Sequence, residues 1–150
     1  MEFKTYAFLP PEAKALREAV FVKEQGFQVE FDDVDKTCTH GVLFDGDQPV
    51  ACSRFFPGDA PQKYILGRIC VDKSRRGTGL GSVVVEESEK AVAALGGQSV
   101  ILHAQCRAQH FYHTLGYQEY GPVEDEEGVP HQWMRKKNLK YFSKKHVPFC

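Results

Sequence analysis

An apolar run that stops at a glycine-rich turn and restarts as an amphipathic helix leaves few folds open. Tyr64-Ile65-Leu66-Gly67-Arg68-Ile69-Cys70-Val71 has the length and apolar density of a buried strand. Lys73-Ser74-Arg75-Arg76-Gly77-Thr78-Gly79-Leu80-Gly81 follows at once, and Leu80, Val83, Val84, Ala91 and Leu95 then share one face of a predicted helix. Strand, glycine turn and helix start is the arrangement in which unpaired backbone N–H groups converge on an anion. Glycine lets the backbone approach a ligand closely because no Cβ stands in the way. Lys73, Arg75 and Arg76 add attraction for phosphate, and the turn reads as a pyrophosphate site.

The glycines at 77, 79 and 81 do not make a P-loop, which needs Gly-Lys-Ser/Thr at its end. A dinucleotide fingerprint would need a glycine where Ser82 stands. What remains, Arg76-x-x-Gly79-x-Gly81, resembles the acyl-coenzyme A loop of the GNAT acetyltransferases, Gln/Arg-x-x-Gly-x-Gly/Ala. Downstream, Ala108, Phe111, Tyr112 and Leu115 fall at i, i+3, i+4 and i+7, an apolar stripe on a short helix. Gly116 stands where it can end that helix, and Tyr117 opens the next strand. Ala108 to Tyr117 is similar to the family's Ala-x-x-Phe/Leu-Tyr-x-x-x-Gly-Phe/Tyr segment. A finer resemblance runs to the ElaA-like branch of the same superfamily. It is carried by Arg17-x-x-Val20-Phe21-Val22-x-Glu24-Gln25, Asp32, Asp35, His40, Arg54, Gly67-Arg68, Ala104-Gln105 and Gly128-Val129-Pro130-His131-x-x-Met134.

The resemblance implies an α/β (α+β) fold of the GNAT type, a mixed central sheet of about six to seven strands flanked by about four helices. It implies acetyl-CoA as co-substrate and a primary amine as acceptor, joined by direct attack in a ternary complex. Ile69, Cys70 and Val71 would offer backbone groups to the pantetheine and the thioester carbonyl. Arg76, Gly77, Thr78, Gly79, Leu80, Gly81 and Ser82 would hold the pyrophosphate, with Arg75 and Arg107 as partners for the 3′-phosphate. Gln105 stands where many relatives have the Asn that bonds the pantetheine arm, and offers the same amide one methylene further out. Tyr112 would protonate the departing thiolate. The proton of the amine needs a base, for which His131, His103, His40 and Glu24 are the candidates. The alternative within the same fold is a CoA-binding regulatory or sensor module without turnover.

At 150 residues and 42% hydrophobic the chain is expected to form one domain, residues 1–136, with a basic extension over 137–150. A formal net charge of −1 argues against bulk electrostatic binding to nucleic acid. The first residues carry no signal-peptide pattern and no apolar run is long enough to span a bilayer, so a cytoplasmic protein without a membrane partner is expected. The cysteines at 38, 52, 70, 106 and 150 are scattered and odd in number, which fits reduced thiols. His110 and His113 flank Tyr112, but no ligand spacing makes them a metal site, and no metal is expected. Family members often form homodimers, and nothing in the sequence fixes an interface.

Along the chain, strands are predicted over Glu2–Phe8, His40–Asp45, Val50–Phe56, Tyr64–Val71, Ser99–Ala104 and Tyr117–Pro122, with His131–Lys136 closing the domain. Helices are predicted from Pro11 to about Gln25, from Leu80 to about Leu95 and around Tyr112. Glu30–Lys36 and Glu124–Glu127 read as acidic loops. Glu24, Asp32 and Asp35 could attract an amine, and Arg54 and Arg68 could receive an anionic group of the acceptor; ordinary salt bridging competes with both readings.

Overall fold

The computed structural model describes residues 1–140. The part of the basic extension beyond residue 140, including Cys150, lies outside them. The described residues form seven strands and three α-helices. The strands are β1 (Glu2–Tyr6), β2 (Thr39–Asp45), β3 (Gln48–Pro57), β4 (Lys63–Val71), β5 (Ser99–Gln105), β6 (Gln118–Glu126) and β7 (Val129–Lys136). The helices are α1 (Pro11–Arg17), α2 (Leu80–Ala94) and α3 (Gln109–Thr114). The sheet order is β1-β2-β3-β4-β5-β7-β6. The pairing of β4 with β5 is parallel and that of β1 with β2, β2 with β3, β5 with β7 and β6 with β7 antiparallel, which makes the sheet mixed. The described residues fall into two compact units, Met1–Phe56 with Leu66–Ser88, and Pro57–Ile65 with the chain from Glu89 onward.

In the first unit β2 is buried on both faces, and its successive residues show it. Val42 and Phe44 join Ala13, Leu16 and Val20 in one core, with Cys52 and Cys70 from β3 and β4. Leu43, between them, joins Val50, Ala51, Leu80 and Val84 in another. This is the period of two of a strand covered on each side. Burial of each such Val, Leu or Phe contributes roughly 1.5–3 kcal/mol. Gly41 is required by space: a Cβ there would stand 2.3 Å from Phe3 Cζ and 2.9 Å from Ser53 Oγ.

Helix α1 begins with a proline at its first turn, where no N–H is needed. The expected helix to Gln25 changes its winding at Glu18 and continues to Glu24 as a π-helix. Gln25 N–H donates to Val20 O at 3.0 Å, the i to i−5 step of that wider coil, and Gly26 closes it with φ +79°. The expected fourth helix is absent among the described residues. The acidic stretch before β2, expected as a loop, contains a short 3-10 turn, Asp33–Lys36.

In the second unit β6 and β7 form a hairpin whose turn is Glu127-Gly128, both with positive φ, 50° and 83°. Two successive left-handed residues match the twist of a tight hairpin. The acidic stretch Glu124–Glu127, expected as a loop, is therefore mostly strand: β6 runs to Glu126, and Glu124 lies opposite His131. The register shifts between Tyr120 and Glu124, at Gly121 with φ +73°. Glu89, fully buried, is satisfied by Tyr117 Oη at 2.7 Å and Lys136 Nζ at 3.0 Å.

Candidate active site

The first unit carries the glycine turn. Strand β4 ends at Val71, a 3-10 turn covers Lys73–Arg75, and α2 starts at Leu80. Gly77 and Gly79 have φ of +78° and +83°, a backbone that a residue with a Cβ adopts only under strain. The space beside each is open, with nothing within 4 Å of a built Cβ, so conformation and not crowding requires glycine. The first α2 bond runs from Val83 N–H to Gly79 O at 3.4 Å. The N–H groups of Leu80, Gly81 and Ser82 precede it and have no acceptor within the helix. Together with the positive end of the helix dipole they suit a pyrophosphate.

Both loop arginines are engaged by carboxylates. Arg75 Nη1 donates to Asp45 Oδ2 at 2.7 Å. Arg76 grips Glu24 with two bonds, 2.6 and 2.7 Å, and sends Nε to the Val71 carbonyl at 3.3 Å. Glu24, one of the candidate bases, is thereby a partner of the loop. Thr78 Oγ1 closes the turn onto the Arg75 carbonyl at 2.6 Å. Cys52 and Cys70 lie with sulfurs 3.4 Å apart, and the contact and burial together hold the Cys70 thiol protonated.

Behind that loop in sequence lies an ion cluster that local sequence reading did not assemble. Arg17, 1% exposed, donates to Glu30 Oε2 at 2.8 Å and to Asp35 at 2.7 and 3.1 Å. Arg54 donates to Asp32 at 2.6 and 3.0 Å and to Asp35 at 3.0 Å. Arg68, in the left-handed region at φ +49°, lies 3.0 Å from the Glu30 carboxylate and 3.4 Å from Asp32. Burial works against the Asp35 charge, but the bonds from Arg17, the Asp32 N–H and Arg54 overcome it and hold the carboxyl well below the usual range. At Glu30 burial wins and the carboxyl is pushed up. Asp35, Cys38 and His40 bring three ligand-type atoms within 4.8 Å of one another. Two guanidinium groups already occupy Asp35, so this trio does not suit a cation. His40 is fully buried, with Nε2 2.9 Å from the Asp35 carbonyl.

The second unit carries the remaining candidates. Tyr112 lies on α3, 9% exposed, edge-on to Phe111 and Tyr117 at centroid distances of 5.0 and 5.9 Å. Burial pushes its hydroxyl far up, so it keeps its proton at every physiological pH. Gln105, at the end of β5, accepts a bond from Arg107 Nε at 2.7 Å. His103 and His131 are brought together, ring centroids 5.0 Å apart, and His103 stacks on Trp133 at 4.7 Å. His131 Nδ1 is 2.8 Å from the Val129 carbonyl, which can only accept, so Nδ1 carries the hydrogen. In the neutral ring Nε2 is then the basic atom. His103 Nδ1 lies 2.9 Å from Glu126 Oε1. Glu124 and Glu126 belong to this group, and only the register of β6 on β7 reveals it. His113, by contrast, pairs with Glu119.

Residues 11–138 match the family model described as an acetyltransferase (GNAT) domain. The N-acetyltransferase YjcF of Bacillus subtilis, itself uncharacterized, is 39% identical over 128 residues, 83% of this chain and 90% of that protein. The crystal structure of ElaA from Escherichia coli superposes with a TM-score of 0.80 at 26% identity, covering 91% of this chain and 99% of the other. An acyl-CoA N-acyltransferase from Pseudomonas aeruginosa gives 0.78 at 26% identity, covering 90% and 98%. Fold and relatives together define an acyltransferase. The chain belongs to the GNAT acetyltransferase family.

Proposed function

We propose that the chain moves an acetyl group from acetyl-CoA to a primary amine by direct attack in a ternary complex. The observation that carries this reading is the turn after β4: two left-handed glycines followed by helix-start N–H groups that have no acceptor within α2. The name of the Pseudomonas aeruginosa neighbour, an acyl-CoA N-acyltransferase, supports an acyl-CoA donor.

In this reading residues 76–82 hold the pyrophosphate through backbone N–H groups, and Arg75 and Arg76 shape the turn from the side. Ile69, Cys70 and Val71 give backbone groups to the pantetheine and thioester, and Gln105 gives an amide. His131 Nε2 takes a proton from the ammonium, and His103 stands beside it as the second candidate. The amine lone pair forms the C–N bond, the C–S bond breaks, and the sulfur leaves with its electrons. Tyr112, kept protonated by burial, gives the thiolate its proton and regains one from the amine nitrogen through water. The nitrogen thus loses two protons, one to His131 and solvent and one to the thiol. Alignment of two bound reactants supplies much of the rate, which is why few side chains suffice.

Release of free CoA thiol in the presence of acetyl-CoA and a panel of primary amines tests the reading. Amine-dependent release is expected. Stoichiometric acetyl-CoA binding with no release for any amine would instead support the sensor reading.

A further inference from the structure

The charged residues of both signs that the sequence offers an acceptor, Glu24, Asp32 and Asp35 on one side and Arg54 and Arg68 on the other, are engaged in ion pairs. Arg54 and Arg68 have the chemistry to receive a carboxylate or phosphate, yet both are committed. Arg54 holds Asp32 and Asp35, and Arg68 lies against Glu30 and Asp32. With Arg17, three guanidiniums meet three carboxylates, and the cluster has no surplus positive charge to meet an anion.

The second unit presents the opposite charge. From Gln118 to Met134 the hairpin sequence carries Glu119, Glu124, Asp125, Glu126 and Glu127 and no lysine or arginine. Glu119 is taken by His113. Glu124 and Glu126, with side chains 54% and 52% exposed, stand against the histidine pair. His103 Nδ1 donates to Glu126 Oε1 at 2.9 Å, so the neutral ring offers a lone pair at Nε2. That Nε2 is buried without a hydrogen-bond partner, and its neighbour is a second acceptor, Glu124 Oε1 at 3.4 Å. At His131 the Nδ1–H is donated to Val129, and Nε2 faces Glu126 Oε2 at 3.6 Å. A basic nitrogen set against a carboxylate in this way, His103 Nε2 beside Glu124, leaves the surface short of a hydrogen-bond donor at that point. An ammonium brings N–H donors and positive charge together.

We propose that the acceptor is a di- or polycationic amine, an inference that rests on the acetyl-transfer reading above. Glu124 and Glu126, beside His103, hold a non-reacting ammonium while His131 Nε2 receives the proton of the reacting one. A second positive charge on the acceptor gains from both carboxylates. An α-carboxylate or a phosphate on it would meet like charge at Glu124 and Glu126.

Calorimetric titration of the full-length chain, with and without CoA, compares 1,4-diaminobutane with n-butylamine. The diamine is expected to bind about fivefold tighter or better, the worth of one further ion pair at a half-exposed site. That preference should shrink in about 0.5 M salt. In the variant Glu124→Gln/Glu126→Gln the two amines should come within about twofold of each other, with acetyl-CoA affinity reporting that the variant is folded. Equal affinities in the wild type, a preference that survives in the variant, or no binding of either amine to protein that binds acetyl-CoA would each overturn the proposal. A chain that binds the diamine selectively but no acetyl-CoA would keep the cationic site and sink the transferase reading.

Discussion

Arg76 closes on Glu24 with both ends of its guanidinium, at 2.6 and 2.7 Å, across 52 residues of chain. The pair joins the end of the π-helical segment to the glycine turn, and Arg76 Nε adds a bond to the last carbonyl of β4. An arginine expected to meet phosphate thus also tethers the loop. Arg76→Ala should weaken acetyl-CoA binding by about tenfold and Glu24→Gln by less, in titration calorimetry. Thermal stability should barely move, because exposed pairs contribute only about 0–1 kcal/mol. Tighter binding in Glu24→Gln would make Arg76 a phosphate ligand that Glu24 restrains.

Tyr112→Phe removes one oxygen from a well-packed helix. Turnover should fall by about 10²–10⁴-fold, the usual worth of a positioned general acid, while the acetyl-CoA dissociation constant changes less than about twofold. Unchanged turnover would return Tyr112 to a packing role beside Phe111 and Tyr117.

Gly79→Ala places a Cβ on a backbone at φ +83°. The space around it is open, so the cost is conformational, roughly 1–2 kcal/mol, and falls on the turn itself. Acetyl-CoA affinity should drop by about tenfold or more with the melting temperature changed by only a few degrees. Gly97→Ala is the contrasting case, since its Cβ would lie 2.3 Å from Val92 and 2.9 Å from Tyr64. It should lower stability strongly and leave the affinity of the folded fraction intact.

The Arg17 cluster is a stability element with a defined pH response. Asp35→Asn leaves Arg17 buried with half its partners, and should cost about 3–5 kcal/mol in urea unfolding. Asp32 and Asp35 are both held below their ordinary value of 3.8. Their contribution is complete above that value and is lost as pH falls below it through the depressed folded values. Glu30, held above its ordinary 4.5, has the opposite sign: its contribution is present below 4.5 and is lost as pH rises through the folded value. Wild-type stability should therefore fall on acidification below about pH 3.8, and the fall should be shallower in Asp35→Asn.

Where the sequence is periodic or punctuated, it foretold the structure well. The strand from Tyr64 to Val71, the glycine turn, the helix through Leu80, Val84 and Ala91 and the short helix around Tyr112 are each written in adjacent residues. The change to π winding at Glu18 has no such local mark. It occurs where Arg17 turns inward to partners 13 and 18 residues away. The acidic strand Glu124–Glu126 read as a loop because its carboxylates hide the alternation of faces. Pairing with His131 and Val129 decides it, and that register is a long-range property. The same register brings Glu126 to both histidines, which spacing alone cannot disclose.

Acetyl transfer as proposed requires first of all that the glycine turn bind an acyl-coenzyme A. Isothermal titration of the purified protein, freed of copurified coenzyme, with acetyl-CoA, ATP and NAD tests it most directly. Micromolar binding of acetyl-CoA, weakened in Gly79→Ala, is expected, with no comparable heat from ATP or NAD. Folded protein that gives no heat with acetyl-CoA, or that binds all three alike, would contradict it.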